Sequence, residues 1–208
     1  MATRVEIKIC GLRTIEDIEK INNLEIQYIG FVFAPSKRQV TPEQAKKLIQ
    51  RLNPQIKTVG VFVNETMDKV NEIAAFCPLD IVQLHGDETP LYCSKIRKPV
   101  WKSLSIGSAG DVARHAHYPD VSGILLDTFI PGVPGGSGKA FSWDLAVFTG
   151  GQTPSKIILA GGLSPSNVSL AIKTVGPQVV DVSSGVESDN VKDLDKIKQF
   201  IRSVRAYG

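Results

Sequence analysis

The sequence predicts an α/β protein, a single-domain (β/α)8 TIM barrel, and three observations support this prediction. Short runs rich in Val, Ile and Phe recur eight times along the chain, and a segment with helical periodicity follows each run. Strict alternation of strands and helices requires parallel strands that are joined by helical crossovers. Eight such units within 208 residues match the lower end of the size range of the closed barrel.

The eight predicted strands have nearly regular spacing. They cover residues 5–9, 28–33, 58–63, 81–84, 100–104, 123–127, 156–160 and 179–182. Thr41 followed by Pro42 is typical of the start of a helix, and Ser164 followed by Pro165 repeats that pattern. The last helix is predicted to rest on the core with one apolar stripe, while Lys192 and the lysines that follow it project elsewhere.

An open, doubly wound sheet is the competing architecture. That fold usually carries a glycine fingerprint after its first strand, whereas this chain offers the single Gly11 there. The sequence shows neither a break in composition nor a low-complexity linker. We therefore expect one domain over residues 1–208.

Composition narrows the classes of partner. The net charge of +3 is only mildly basic and the Lys and Arg residues are scattered, so we expect no nucleic-acid partner. A signal-peptide pattern and an apolar run of about 18 residues are both missing, which predicts a cytoplasmic protein without a membrane partner. Three cysteines, without a CxxC pair, predict free thiols.

Polar residues at the C-terminal ends of strands are the candidate catalytic groups, because the active-site loops of this barrel class follow those ends. Cys10 follows the first strand, where Lys8 would favour the thiolate form, and a buried structural cysteine is the alternative. Asp127 closes an apolar strand and can serve as a general acid, with a helix cap or an ion pair as the alternative. Other polar residues at strand ends are Asn64, His85, Lys102, Ser103 and Asp181.

Glycine-rich loops follow the sixth, seventh and eighth predicted strands. Such loops bring backbone N–H groups close to an anion, and barrels of this class hold phosphate after the last two strands. A flexible lid is the alternative for the first loop, and simple tight turns are the alternative for the other two. The candidate phosphate-binding residues are Gly136, Gly138, Gly161, Gly162, Ser183, Ser184 and Gly185.

Histidine and arginine are two further residue types that can bind ligands. His85, His115 and His117 lack carboxylates or thiols at metal-ligand spacing, so we expect no metal site. Arg38 follows the second strand, and its planar guanidinium can hold a carboxylate. A solvated surface arginine is the alternative.

A series of motifs runs in order from the first strand to the eighth. They are KICG at 8–11, GFVF at 30–33 with SKR at 36–38, VGVFVN at 59–64, QLHG at 83–86, LLD at 125–127, GGSG at 135–138, LAGGL at 159–163 and DVSSGVE at 181–187. In their order and spacing, the chain resembles the phosphoribosylanthranilate isomerase family of tryptophan biosynthesis. It departs from the family at Ser142, where aspartate is common, and at Asn190, in a segment that often carries glycine. Both departures put loop packing or helix capping in doubt more than the reaction.

The resemblance implies an Amadori rearrangement of N-(5-phosphoribosyl)anthranilate to 1-(2-carboxyphenylamino)-1-deoxyribulose 5-phosphate, without metal or organic cofactor. Asp127 would open the ribose ring as general acid, and Cys10 would remove the C2 proton as general base. Arg38 would hold the anthranilate carboxylate, and the glycine loops would hold the phosphate. The candidate supporting residues are Lys8, His85 and Asp181.

Two alternative functions remain open at this stage. The related histidine-pathway isomerase performs the same rearrangement on another phosphoribosyl compound, but its first-strand base is expected to be aspartate, where this chain has Cys10. A non-catalytic phosphosugar-binding barrel would keep the glycine loops without needing Cys10 and Asp127. The oligomeric state, monomer or homodimer, is also open.

Overall fold

Eight parallel strands close into a barrel in the computed structural model, which describes residues 4–108, 110–127, 143–146 and 155–206. Each strand pairs with the next, and the eighth pairs with the first. The predicted (β/α)8 TIM barrel is therefore confirmed. The strands are β1 Glu6–Cys10, β2 Tyr28–Val32, β3 Lys57–Phe62, β4 Ile81–Leu84, β5 Val100–Ser105, β6 Gly123–Asp127, β7 Lys156–Ala160 and β8 Val179–Val182.

Helices connect most of the strands. The α-helices within the described ranges are α1 Ile15–Ile21, α2 Pro42–Ile49, α3 Met67–Phe76, α4 Pro90–Cys93, α5 Val168–Val175 and α6 Leu194–Arg205. Shorter elements are the 3-10 helices Asp111–His117, Trp143–Ala146 and Ser184–Val186, and a hairpin of β9 Glu187–Ser188 and β10 Val191–Lys192. Among the helices described, none is long and apolar enough to cross a membrane.

Two predicted helix starts had different outcomes. The Thr41 side chain accepts a hydrogen bond from the Gln44 backbone at 3.1 Å, so α2 begins as predicted. The start predicted at Ser164 is wrong, because α5 begins one turn later, after Asn167. The Asn167 side chain accepts from the Ser164 N–H at 2.7 Å and donates to the Gly162 carbonyl at 3.0 Å, which closes a separate turn before the helix.

The inner face of the barrel has an apolar layer beneath a polar one. Side chains alternate between the two faces of a strand, so residues two apart share a face. The apolar layer consists of Tyr28, Val59, Ile81, Trp101, Leu125, Ile158, Ala160 and Val179. Five of these strands carry another inward-facing residue two positions further towards the C-terminal end of the strand. These five residues are Gly30, Gln83, Ser103, Asp127 and Asp181. The fold thus collects polar groups at one mouth above a packed apolar floor.

Candidate active site

The predicted site residues lie side by side around the C-terminal rim of the barrel. The closed strand order runs β6, β7, β8, β1, β2. Asp127, the glycine pair 161–162, Ser183, Cys10 and the loop with Arg38 therefore follow one another along this rim. The C-terminal ends of all parallel strands face the same side, so these groups share one mouth. The predicted positions that fall outside the described residues are Gly136, Gly138 and Ser142.

Cys10 is the last residue of β1 and its side chain is partly exposed. A Cβ atom at Gly30 on the neighbouring strand would lie 2.7 Å from the Cys10 sulfur. Glycine at that position therefore makes room for the thiol. In contrast, Cys77 and Cys93 are buried at helix ends, and burial raises the pKa of each thiol to about 11, as expected of structural cysteines.

Lys8 and Asp181 form a buried ion pair across the seam between β1 and β8. The Lys8 Nζ lies 2.7 Å from Asp181 Oδ2, and the two residues are direct partners in the strand register. Burial opposes the charge of the ammonium, but the attraction and hydrogen bonds of Asp181 and Cys10 together outweigh it and raise the pKa of Lys8. Burial also raises the pKa of the Cys10 thiol, and Lys8 offsets only part of that effect. Lys8 lowers the pKa of the thiol, as predicted, but burial raises it by more, so the net pKa of Cys10 is raised in the free protein.

A second buried lysine lies near Cys10. Lys192 is 3% exposed, and its Nζ donates to the Ser183 carbonyl at 3.1 Å and to Glu187 Oε1 at 2.6 Å. The Ser183 hydroxyl donates in turn to the Cys10 carbonyl at 3.0 Å. The expectation that Lys192 projects away from the core is wrong, because its ammonium finds these acceptors inside the loop after β8.

Glu187 joins Lys192 to Arg38. The Arg38 guanidinium donates from Nε to Glu187 Oε1 at 2.8 Å and from Nη2 to Oε2 at 2.6 Å. Burial alone would raise the pKa of Glu187, but hydrogen bonds from Arg38 and Lys192 outweigh it and lower the pKa to about 2. Gly11 has a φ of +83°, and a Cβ there would lie 2.4 Å from Arg38 Cδ. The arginine side chain therefore lies across Gly11, beside the thiol.

Asp127 contacts a short chain of hydrogen-bonded side chains. Its Oδ2 lies 3.0 Å from His85 Nε2, and His85 Nδ1 lies 3.0 Å from Gln83 Nε2. The Ser103 hydroxyl is 3.3 Å from the same Nε2. The tautomer of His85 decides which ring nitrogen donates and which accepts, and in either tautomer the imidazole links Asp127 to Gln83.

Lys102 and Asn64, which were predicted at strand ends, belong to the support of the loop after β4; Lys102 lies within β5 and Asn64 follows β3. The Lys102 side chain lies on the outer face of the barrel, where its Nζ donates to the Gly86 carbonyl at 2.6 Å and to Glu88 at 3.1 Å. Asn64 accepts from the Asp87 N–H at 2.7 Å. These contacts fix a loop, and they turn both side chains away from the mouth.

The two described glycine loops contact each other. Gly161 and Gly162 have φ values of +87° and +66°, a left-handed conformation that glycine adopts without strain. A Cβ at Gly185 would lie 1.9 Å from the Leu163 carbonyl oxygen, so only glycine fits there. Ser184 and Gly185 belong to the 3-10 helix that directly follows β8. The loops after β7 and β8 therefore form one continuous backbone surface.

The departure at Asn190 has a structural explanation. Asp189 and Asn190 form the turn of the β9–β10 hairpin with φ values of 51° and 62°. Asparagine and aspartate tolerate this left-handed conformation better than most residues do. The Asn190 side chain also accepts a hydrogen bond from Lys37, and its carbonyl accepts one from Arg13 at 2.8 Å. Asn190 thus replaces glycine and adds contacts to the hairpin.

Sequence reasoning missed four residues of this site: Gly30, Gln83, Glu187 and Lys192. Gly30 and Gln83 carry a signal in the two-residue alternation of their strands, since both share the inner face with the catalytic candidates. Glu187 and Lys192 lie outside any predicted strand, and Arg38, the partner of Glu187 at the mouth, is 149 residues away along the chain. Among the side chains described, His, Cys, Asp and Glu do not form a group of three or more suited to a metal ion.

Comparison with known proteins identifies the family of the chain. A family model described as N-(5′-phosphoribosyl)anthranilate (PRA) isomerase matches residues 7–203. The chain belongs to the PRA isomerase family. The N-(5′-phosphoribosyl)anthranilate isomerase of Moorella thermoacetica is 45% identical over 203 residues, which cover 97% of this chain and 90% of that relative.

Solved structures of PRA isomerases share the fold. The crystal structure of phosphoribosyl anthranilate isomerase from Thermotoga maritima matches with a TM-score of 0.88 and 41% identity, over 97% of this chain and 99% of that chain. A second PRA isomerase crystal structure contains reduced 1-(o-carboxyphenylamino)-1-deoxyribulose 5-phosphate. It matches with a TM-score of 0.83 and 38% identity, over the same 97% and 99%.

Proposed function

We propose that the chain catalyses the Amadori rearrangement of N-(5-phosphoribosyl)anthranilate to 1-(2-carboxyphenylamino)-1-deoxyribulose 5-phosphate in tryptophan biosynthesis. The observation that carries the proposal is the order of groups along the rim, where two glycine loops separate Asp127 on β6 from Cys10 on β1. A phosphate bound in those loops extends the ribose towards the acid and the base. Membership of the PRA isomerase family favours this reaction over the histidine-pathway isomerase and over a non-catalytic barrel.

Asp127 acts first, as the general acid. It protonates the ribose ring oxygen, the C1–O bond breaks, and the nitrogen lone pair forms a cationic Schiff base. His85, 3.0 Å away, orients the carboxyl group. An imidazole Nε2 accepts from a protonated carboxyl or donates to a carboxylate according to its tautomer, so His85 can stay hydrogen-bonded before and after the transfer.

Cys10 acts second, as the general base. Its thiolate removes the proton from C2, and the electron pair moves into the Schiff base to give an enolamine, which tautomerises to the ketone. The pKa of the thiol is raised by burial in the free protein. The positive Schiff base formed beside it favours the thiolate, because an adjacent opposite charge stabilises the ionised form. Base formation is thus coupled to ring opening.

The remaining candidates anchor the two ends of the substrate. Arg38 binds the anthranilate carboxylate through its guanidinium, which forms bidentate pairs with carboxylates. Lys8 and Asp181 fix the seam beneath Cys10. Holding both ends keeps the reacting carbons in place between acid and base. The phosphate-binding residues are Gly136, Gly138, Gly161, Gly162, Ser183, Ser184 and Gly185.

The test follows the loss of anthranilate-type fluorescence from freshly made phosphoribosylanthranilate. We expect turnover by the parent protein, and a loss of at least about 100-fold in kcat for Cys10→Ser and for Asp127→Asn, because each removes a proton-transfer group. Cys93→Ser and the exposed Asp120→Asn are matched controls that should retain the rate. A parent without turnover would overturn the isomerase proposal, whereas a fully active Cys10→Ser would overturn only the assignment of the base.

We further infer that the chain is one catalytic domain over residues 1–208, cytoplasmic, and a monomer or homodimer. The mechanism above uses only side chains and backbone N–H groups of the chain, so turnover should persist after dialysis against a chelator. Sedimentation equilibrium measures the mass of the particle, and a mass above that of a dimer would overturn this inference.

A further inference from the structure

Three charged side chains form a connected group that we call the clasp: Arg38, Glu187 and Lys192. The Glu187 carboxylate accepts hydrogen bonds from Arg38 Nε at 2.8 Å and Nη2 at 2.6 Å. It also accepts one from Lys192 Nζ at 2.6 Å. The side chains of Lys192 and Glu187 are only 2% and 6% exposed. One buried carboxylate thus binds two cations from different segments of the chain.

The clasp determines which edge of the guanidinium points towards a ligand. Pairing through Nε and Nη2 uses one edge of Arg38, and Nη1 with the second hydrogen of Nη2 forms another edge outside that pair. Arg38 Cδ lies where a Cβ of Gly11 would stand, so the side chain crosses the end of β1 beside Cys10. The guanidinium is thereby fixed both in position and in rotation at the rim.

The clasp is also tied to the strand that carries the base. Lys192 donates to the Ser183 carbonyl at 3.1 Å, and the Ser183 hydroxyl donates to the Cys10 carbonyl at 3.0 Å. Contacts therefore run from Cys10 through the β8 loop and Glu187 to Arg38, which packs back on the glycine that follows Cys10. A displacement of Glu187 would move the arginine relative to the thiol.

We propose that Glu187, held by Lys192, is the positioning residue that orients Arg38 to receive the carboxylate of the substrate. The inference rests on the proposed function, in which Arg38 binds that carboxylate. Glu187 acts through the arginine. Its effect should therefore appear only with ligands that carry the carboxylate.

The experiment compares two ligands: reduced 1-(o-carboxyphenylamino)-1-deoxyribulose 5-phosphate and the same compound with phenyl in place of carboxyphenyl. The ratio of their Kd values measures recognition of the carboxylate. A positioned, charge-assisted contact predicts a ratio of about 100 for the parent. We expect about 10 for Glu187→Gln, with the Kd of the carboxyl-free compound unchanged. Glu6→Gln, which weakens the Glu6–Lys156 pair at the opposite end of the barrel, is the control and should match the parent.

Two further variants keep the test decisive. Glu187→Asp retains the negative charge between the two cations but shortens the side chain, so the bidentate pair with Arg38 should be lost and the ratio should also fall while the folding is preserved. Arg38→Ala should abolish the preference, and adding Glu187→Gln to it should change nothing more, since the two residues act as one unit.

The outcomes separate this inference from the proposed function. A parent that discriminates between the ligands, together with Glu187 variants that discriminate equally well, would overturn the positioning role alone. Additive losses in the double variant would do the same. A parent that shows no preference for the carboxylate would remove the role of Arg38 in the proposed function, and the inference with it.

Discussion

The two sides of the active-site mouth are built in different ways. The side of the proposed base, around β8, β1 and β2, is built from ion pairs. Lys8 pairs with Asp181, and both Lys192 and Arg38 pair with Glu187. The acid side, around β4, β5 and β6, joins Asp127 to His85, Gln83 and Ser103. The ion pair nearest the base is almost fully buried, whereas the side chains of His85 and Asp127 are 31% and 21% exposed.

Because the two sides differ in burial and charge, we expect one side to contribute mainly to folding and the other mainly to reactivity. Buried charges that lose a partner are costly, so the base side should govern whether the barrel closes at all. The hydrogen bond between His85 and Asp127 is partly exposed and should cost little to break, so the acid side should govern how Asp127 is oriented. The following three predictions test that division.

The largest effect is expected for Asp181→Asn. It leaves the Lys8 ammonium buried without a counter-charge, and the free energy of unfolding should fall by about 3–5 kcal/mol. Urea unfolding followed by circular dichroism measures this loss. The control Glu6→Gln breaks a half-exposed pair and should cost less than about 1 kcal/mol. Equal losses of unfolding free energy in the two variants would show that the buried Lys8–Asp181 pair contributes no more to stability than the half-exposed pair does.

A smaller effect concerns the pH dependence of stability. Glu187 has a pKa of about 2 in the folded protein against 4.5 as a reference, so its unfolded form binds protons more readily. The stabilisation is therefore complete above pH 4.5 and is lost as the pH falls towards 2. A shift of that size corresponds to roughly 3 kcal/mol of stability.

The measurement is the difference in unfolding free energy between the parent and Glu187→Gln, at pH 6 and at pH 3. The difference should shrink at the lower pH. Glu25→Gln removes an exposed partner of Arg4 and should show little difference at either pH. A constant difference for Glu187→Gln would contradict the linkage.

The smallest effect is expected on the acid side. His85→Ala removes one hydrogen bond that orients Asp127, and kcat should fall about tenfold while the free energy of unfolding changes by less than about 1 kcal/mol. Steady-state kinetics and urea unfolding measure the two quantities. His117→Gln on the exposed 3-10 helix is the control. A large loss of stability with normal kcat would reverse the roles assigned to the two sides.

Local patterns predicted the fold, and they predicted two candidate catalytic residues. Apolar runs marked all eight strands, and Cys10 and Asp127 were predicted from the ends of two of them. Lys192 was misplaced because a lysine before a helix is normally solvated, and the sequence does not show that the loop after β8 folds back to present Ser183 and Glu187 to its ammonium. Glu187 could not be paired with Arg38 from sequence, since 149 residues separate them and only barrel closure brings them together. Lys102 was taken for a mouth residue because a strand end does not by itself specify the face.

The seam between β1 and β8 also has a consequence for synthesis on the ribosome. Cys10 leaves the exit tunnel early, but Asp181 and Ser183 are made 171 and 173 residues later, together with the loop that contains Lys192. A nascent chain therefore cannot assemble its base until its last strand emerges. Activity would appear abruptly at the end of translation, and a truncated chain that ends before residue 179 should remain inactive until a separate C-terminal fragment supplies β8.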